Sequence, residues 1–321
     1  MEIDRKELKR LARERMAQPR PPFWVVGLLY ILLTTGVNLL SNTIIDLVSP
    51  HSEGLDFTIL FMALFTTLFT VVVDFGFNLW ALWTHRQLNP GPGALAQGFS
   101  VAGRVVWMEI LVLSRVFLWV ILLILGFSSF VLVFSSLLTT FPILSVLVGL
   151  LLQGAVWAIM LRYALAPYLL ADRPDDGAPL AVRRSVALTR GWKWELFQVE
   201  FSFVGWLILS ALLSLLGTGA ALWLGGFFRE LATLPADQWQ ELLAACLQLH
   251  SGVTLLTPEL TAQQQSLFLS FVDLSTGMGA LLLSNLFSLP LLVWLHPYRL
   301  VTRAGFYEAR LKHQRESAPP V

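Results

Sequence analysis

Charge is scarce in this chain. Of 321 residues only 13% are Asp, Glu, Lys or Arg, while 56% are apolar. Soluble domains carry about 25% charged and roughly 45–50% apolar residues, so this balance excludes a soluble globular protein. Cysteine is nearly absent. The one residue, Cys246, excludes an intrachain disulfide and a cysteine-based metal site. The five histidines (His51, His85, His250, His296 and His313) are scattered, with no pair one helical turn apart and no HExxH spacing, which leaves metal catalysis without support. No phosphate-binding P-loop occurs, and Gly217-Thr218-Gly219 lies inside an apolar run with no preceding strand, the wrong context for a dinucleotide fingerprint. No cofactor is expected. A surplus of one sign is missing as well: 22 Lys and Arg against 21 Asp and Glu give a net charge of +1, which gives no reason to expect a nucleic-acid partner.

Long apolar runs take the place of these features. Several exceed the ~18–20 residues that cross a bilayer, and they do not alternate apolar with polar residues as barrel strands do. Lipid allows only helices or closed barrels, because every backbone polar group must be satisfied internally. The expected fold is all-α: a polytopic bundle of about six transmembrane helices with amphipathic surface helices. The spans are placed at 23–48, 55–83, two within the tract 105–171, 195–228 and 274–297. Ser135-Ser136 and Thr139-Thr140-Phe141-Pro142 mark the turn inside the 105–171 tract, since proline resists continuing a helix. The chain is divided into an N-terminal arm (1–22), a membrane domain (23–297) that includes a surface segment at 172–194 and an outer loop at 227–272, and a tail (298–321).

The arm carries Leu8, Leu11, Ala12 and Met16 at helical spacing beside a basic face, the pattern of a helix lying on a membrane surface. In the outer loop, Trp239, Leu242, Leu243, Cys246 and Leu247 form an apolar stripe, and Thr257-Pro258 is a helix start. The arm, the 84–104 connector, the 171–194 segment and the tail together hold 19 of the 22 Lys and Arg residues. Under the positive-inside rule all four are cytoplasmic, as are both termini. Trp24, Trp80, Trp83, Trp107, Trp192, Trp194 and Trp294 fall near the same interface, where amphipathic rings are favoured.

Three groups of residues stand out. Asp74, Glu109, Arg115, Arg162 and Glu200 fall inside apolar spans, where an unpaired charge costs at least about 2.5–3.5 kcal/mol. They form a candidate polar layer, with Asp74 and Arg115 expected to pair because their estimated depths agree. Arg183, Arg184, Arg190, Trp192, Lys193 and Trp194 place basic and aromatic residues in the order that suits anionic headgroups. In this segment Asp176 is expected to cap a short helix entered through Pro179. Gly217, Ala221 and Gly225, four residues apart, form a small-residue ridge of the kind that lets helix backbones approach, either inside the bundle or in a homo-oligomer.

Tyr163, Ala166-Pro167-Tyr168, Ala171-Asp172-Arg173-Pro174, Ala181, Ser185, Gly191-Trp192-Lys193-Trp194, Leu196-Phe197 and Ser202-Phe203-Val204-Gly205-Trp206 make up a further pattern. It resumes at Pro297-Tyr298 and Phe306-Tyr307, and more weakly at Leu8-Lys9 and Ala12-Arg13. In these residues the chain resembles the domain of unknown function 975 family, uncharacterised multi-pass membrane proteins of bacteria. The resemblance implies class and membrane residence, and no activity; the expected location is a bacterial cytoplasmic (inner) membrane. One departure is the stretch of roughly ninety residues between Trp206 and Pro297, where the family passes quickly from one element to the next.

The expected function is that of a non-enzymatic membrane protein, in envelope or lipid homeostasis or as an accessory to a membrane complex. Its expected partners are membrane lipids, anionic phospholipid among them, with a second copy or another membrane protein as a further possibility. A carrier of a small amphiphile working through the Asp74/Arg115 layer is the alternative. A lipid-modifying enzyme using Glu109 and Glu200 is the third reading.

Overall fold

The computed structural model describes residues 4–18, 20–48, 57–140, 142–235, 239 and 262–316. Among them every regular element is helical. Five segments are long and apolar enough to cross a membrane: Phe23–Ile45, Phe57–His85, Gly93–Ser128, Lys193–Leu224 and Met278–Glu316, with Gly149–Met160 a shorter apolar helix. The all-α transmembrane bundle is therefore present, with about six apolar helical passages when the shorter one is included.

The chain divides into two compact units, one of residues 1–203 with 294–321 and one of residues 204–293. The first begins with α1 (Arg5–Met16), capped by the Asp4 side chain, which accepts from the Lys6 backbone N–H at 2.9 Å. The amphipathic pattern of the arm forms this helix, but its apolar face packs on protein rather than lying on lipid: Leu8, Ala12 and Met16 are buried. Leu8 joins Leu82, Leu165, Tyr168, Leu196, Phe306 and Tyr307 in one core. Burying a leucine or methionine stabilises by roughly 1.5–3 kcal/mol, which exceeds what a short helix gains from its own propensity.

Next come α2 (Phe23–Val48) and α3 (Phe57–His85), packed on each other. The connector after α3 is not a loop. It forms α4 (Gly93–Gln97) and a 3₁₀ turn (Gly98–Val101) that fold back against α3. Two glycines permit this: a Cβ on Gly76 would lie 2.2 Å from the Leu95 carbonyl oxygen, and one on Gly98 would lie 2.4 Å from the Val72 carbonyl oxygen. As a result α5 (Ala102–Thr140) starts alongside the middle of α3, and Val105 and Met108 share a core with Phe75.

The expected turn at 140–142 separates α5 from α6 (Pro142–Met160). The span placed up to residue 171 ends early. Residues 161–165 form turns, and α7 (Ala166–Asp172) begins with Pro167 in its first turn, where a missing N–H costs nothing. A 3₁₀ turn (Pro174–Asp176) leads to α8 (Ala178–Thr189). The residue at the α8 N-cap position is Gly177, at φ +78°, a conformation that favours glycine, and no side chain caps the helix. Asp176, expected to do so, instead pairs with Arg184.

The span placed at 195–228 is broken into α9 (Lys193–Phe201) and α10 (Val204–Leu224), with Ser202 and Phe203 in the turn between them. Within the second unit, α11 (Phe227–Leu231) and α12 (Ala262–Thr276) pack with the end of α10 through Leu222, Phe227, Leu231 and Leu267. Trp239 donates to the Leu234 carbonyl at 3.1 Å. Leu242, Leu243, Cys246, Leu247, Thr257 and Pro258 lie outside the described residues.

The last helix, α13 (Met278–Glu316), is 39 residues long and runs through both Pro290 and Pro297. The tail expected after Pro297 is therefore a continuation of the span. Each proline removes one backbone donor, a loss that helices in lipid tolerate when neighbouring groups satisfy the freed carbonyl.

Candidate functional site

The four basic segments separated along the sequence meet at one end of the first unit. Arg86, just past α3, is the centre of one network. Its guanidinium donates to both carboxylate oxygens of Asp172 at 2.5 and 2.8 Å, and its Nε donates to Glu308 at 2.6 Å. The Tyr307 hydroxyl donates to Asp172 Oδ2 at 2.7 Å. The Tyr307 ring stacks on that of Tyr168, whose hydroxyl donates to the Leu300 carbonyl at 3.0 Å. A bidentate arginine–carboxylate pair fixes orientation as well as charge, so Arg86 ties the ends of α3, α7 and α13 together.

Glu200 is the centre of a second network. It is 3% exposed and accepts from Arg303 Nε at 2.6 Å and from Arg299 at 3.0 Å. Beside it Lys9 of the arm donates to the Ser202 carbonyl at 3.1 Å and lies 4.3 Å over the Phe203 ring. The Tyr298 hydroxyl donates to the Lys9 carbonyl at 3.5 Å. Burial, and then the nearby Arg13 and Arg5, lower the Lys9 pKa from its ordinary value. On α13 the buried Arg310 donates from Nε to the Leu188 carbonyl at 3.2 Å and stacks on Trp192 at 4.3 Å.

The surface segment divides by direction. Arg184 is taken up by its pair with Asp176, and Trp192 is covered by Arg310. Arg183, Arg190 and Trp194 face outward, Trp194 being 64% exposed, and Lys193 is half-buried. Among the described residues Arg183, Arg190 and Lys193 have no carboxylate within salt-bridge distance.

The intramembrane charges do not form one layer. Asp74 accepts from the Tyr30 hydroxyl at 2.7 Å, and Tyr30 in turn meets the edge of His296, with ring centroids 5.8 Å apart. Arg115 is not its partner. Because α5 begins level with Phe75, Arg115 lies two or three turns beyond Asp74, roughly 10–15 Å further along the helix. The expected pairing assumed that the connector ran along the membrane surface, and its folding back along α3 removed the match in depth. Arg162 lies over the Trp119 ring at 5.5 Å, and its backbone carbonyl accepts from Ser185 at 2.8 Å. Glu109 is half-buried. Glu200 belongs with Arg299 and Arg303 and not with the other four. Among the described residues no three His, Cys, Asp or Glu side chains converge as metal ligands do.

In the second unit the small-residue ridge lies against its neighbours. A Cβ on Gly217 would come within 2.5 Å of the Ser284 Cα, and one on Gly225 within 2.5 Å of the Leu274 side chain, while Ala221 is buried.

Arg86, Asp172, Arg299, Arg303, Glu308 and Arg310 were not singled out as site residues from the sequence. For all but Arg86 the signal available was their neighbourhood, since they lie near the Pro297-Tyr298, Phe306-Tyr307 and Pro167-Tyr168 pairs in the sequence. No curated protein and no solved structure matches the chain. Residues 1–314 match the family described as protein of unknown function (DUF975). That match takes in the arm, every basic segment and both networks, and the chain belongs to this family.

Proposed function

We propose that this protein is a non-catalytic, multi-pass protein of a bacterial cytoplasmic membrane, acting in lipid or envelope homeostasis through a basic end that holds anionic phospholipid headgroups. Both termini then lie on the cytoplasmic side, where the positive-inside rule puts the basic segments. The reading is carried by the outward side of α8 and α9. There Arg183, Arg190 and Lys193 have no acidic partner among the described residues and stand beside an exposed Trp194. Each such cation near an anionic surface contributes about 1 kcal/mol, and an exposed tryptophan favours the headgroup layer. Arg184 is excluded from this set by its pair with Asp176.

Native mass spectrometry of protein purified in mild detergent tests the reading. The native protein should retain phosphatidylglycerol in preference to phosphatidylcholine. Arg183→Gln/Arg190→Gln/Lys193→Gln should lose that preference with its melting temperature unchanged. Equal retention in the two proteins would leave these residues without a lipid role.

A further inference from the structure

A cleft of about 780 Å³ opens between the end of α7, α8 and the last turns of α13, within the volume range of small-molecule sites. Leu169, Leu188 and Leu311 give it an apolar floor. One wall is the Arg86–Asp172–Glu308 network, a single guanidinium between two carboxylates. The other charged lining groups are Arg173, Arg184 and Arg315, and no further carboxylate lines the cleft. Arg184 shares Asp176 at the rim with a looser contact from Arg173 at 4.0 Å. Arg315 has no ion pair among the described residues and is exposed. Four guanidinium groups line the cleft against Asp172, Glu308 and the nearby Asp176, which leaves one positive charge over, and Arg315 is the lining arginine with no ion pair among the described residues.

The position along α13 bears on where a ligand comes from. Leu311 and Arg315 lie roughly 20–27 Å along the helix beyond Pro297, at ~1.5 Å per residue. The headgroup layer on one side of a bilayer is only about 5–8 Å deep. If the apolar part of α13 spans the bilayer, the cleft faces water and not lipid.

We propose that this cleft binds a water-soluble phosphate monoester bearing a small apolar group, its phosphate held by Arg173 and Arg315 and its apolar part set on the leucines. Guanidinium groups match phosphate oxygens in pairs, which a lysine does not do. The inference does not rest on the lipid-holding role of Arg183, Arg190 and Lys193, none of which lines the cleft.

Full-length protein in phosphatidylcholine nanodiscs, titrated with phenyl phosphate in a calorimeter, tests this. Saturable binding is expected, and phenol, which lacks the phosphate, should give none. Arg173→Gln/Arg315→Gln removes two solvent-facing side chains, so the melting temperature should hold while affinity falls at least about tenfold, the scale of a charge-assisted hydrogen bond. Arg183→Gln/Arg190→Gln/Lys193→Gln should bind phenyl phosphate as the native protein does. Replacing part of the phosphatidylcholine with phosphatidylglycerol, at salt that screens surface charge, should leave the affinity unchanged. Competition by phosphatidylglycerol would overturn the aqueous source and assign the same arginines to a lipid headgroup. Absence of saturable binding, or equal affinity in the Arg173/Arg315 variant, would overturn the site.

Discussion

In residues 4–203 and 294–316 helices meet through charges and aromatic rings, as where Glu200 accepts from Arg299 and Arg303 and where Tyr168 stacks on Tyr307. In residues 204–293 they meet through small residues, as where Gly217 lies against the Ser284 backbone. Close backbone approach also occurs in the first unit, at Gly76 and Gly98, so what sets that unit apart is the added charges and rings. Lipid tails are as apolar as leucine, so helices surrounded by them associate by close backbone approach and not by hiding apolar surface from water. Nearly all the residues in which the sequence resembles the family, from Leu8-Lys9 through Tyr163, Tyr168, Ser185 and Trp192 to Tyr298 and Tyr307, lie in the first unit.

The largest effect expected on either side of this comparison is at Glu200. Glu200→Leu leaves Arg299 and Arg303 without their carboxylate in a largely buried setting, a change that typically costs about 3–5 kcal/mol. Thermal unfolding in detergent should show a lower midpoint, with much of it recovered in Glu200→Leu/Arg299→Leu/Arg303→Leu. Full stability of the single variant would mean that the charges of the first unit do not hold it. The matching break in the second unit is Gly217→Val, which forces side-chain atoms against backbone at 2.5 Å and should cost about 1–3 kcal/mol by overpacking. Gly219→Ala two residues away meets nothing within 4 Å, and its midpoint should stay near that of the native protein. Similar losses at 217 and 219 would contradict packing through the ridge.

A smaller effect is expected where the first unit is wetter. Asp172→Asn weakens the bidentate contact with Arg86 and the acceptor of Tyr307, but these side chains are 18–32% exposed in the Arg86–Asp172–Glu308 network. The loss should be about 1–2 kcal/mol and should shrink as salt is raised. A salt-independent loss would place the network in a drier setting. The smallest effect concerns Asp74 and Arg115. Because Asp74 is bonded to Tyr30, Asp74→Leu and Arg115→Leu should act independently, with the double variant equal to their sum within about 0.5 kcal/mol. Recovery in the double variant would restore the direct pair.

Much of this fold was legible in the sequence. The apolar runs marked the spans, Pro142 marked the α5–α6 turn, and the spacing of Leu8, Ala12 and Met16 marked α1 and its buried face. What that face meets was not legible, because an amphipathic helix carries the same pattern whether lipid or protein covers it. Interruptions without strong breakers were also missed: the turns at 161–165 and at Ser202-Phe203 sit inside runs that hydropathy reads as single spans. The span end placed at Pro297 erred in the other direction, since proline does not end a helix when its neighbours satisfy the freed carbonyl. In the candidate site, the outward arginines could be read from their position beside tryptophan. The partners of Glu200 could not, because Arg299 and Arg303 are about a hundred residues away in sequence, on a helix expected to have ended before them. The depth match of Asp74 and Arg115 failed for a comparable reason, as Gly76 and Gly98 let the connector fold back along α3.

The central claim is that the basic segments form one assembly, with the arm docked on the ends of the spans. Gln18 and Gln87 test it most directly, for their side chains meet at 3.1 Å across the arm and the end of α3 and both residues are exposed. Cysteines at these two positions, in protein with Cys246 replaced by serine and kept in its membrane, should form an intramolecular disulfide within minutes of mild oxidation, read as a mobility shift that reductant reverses. A pair that stays reduced while each cysteine alone reacts with a maleimide would show the arm lying free of the bundle and would contradict the account.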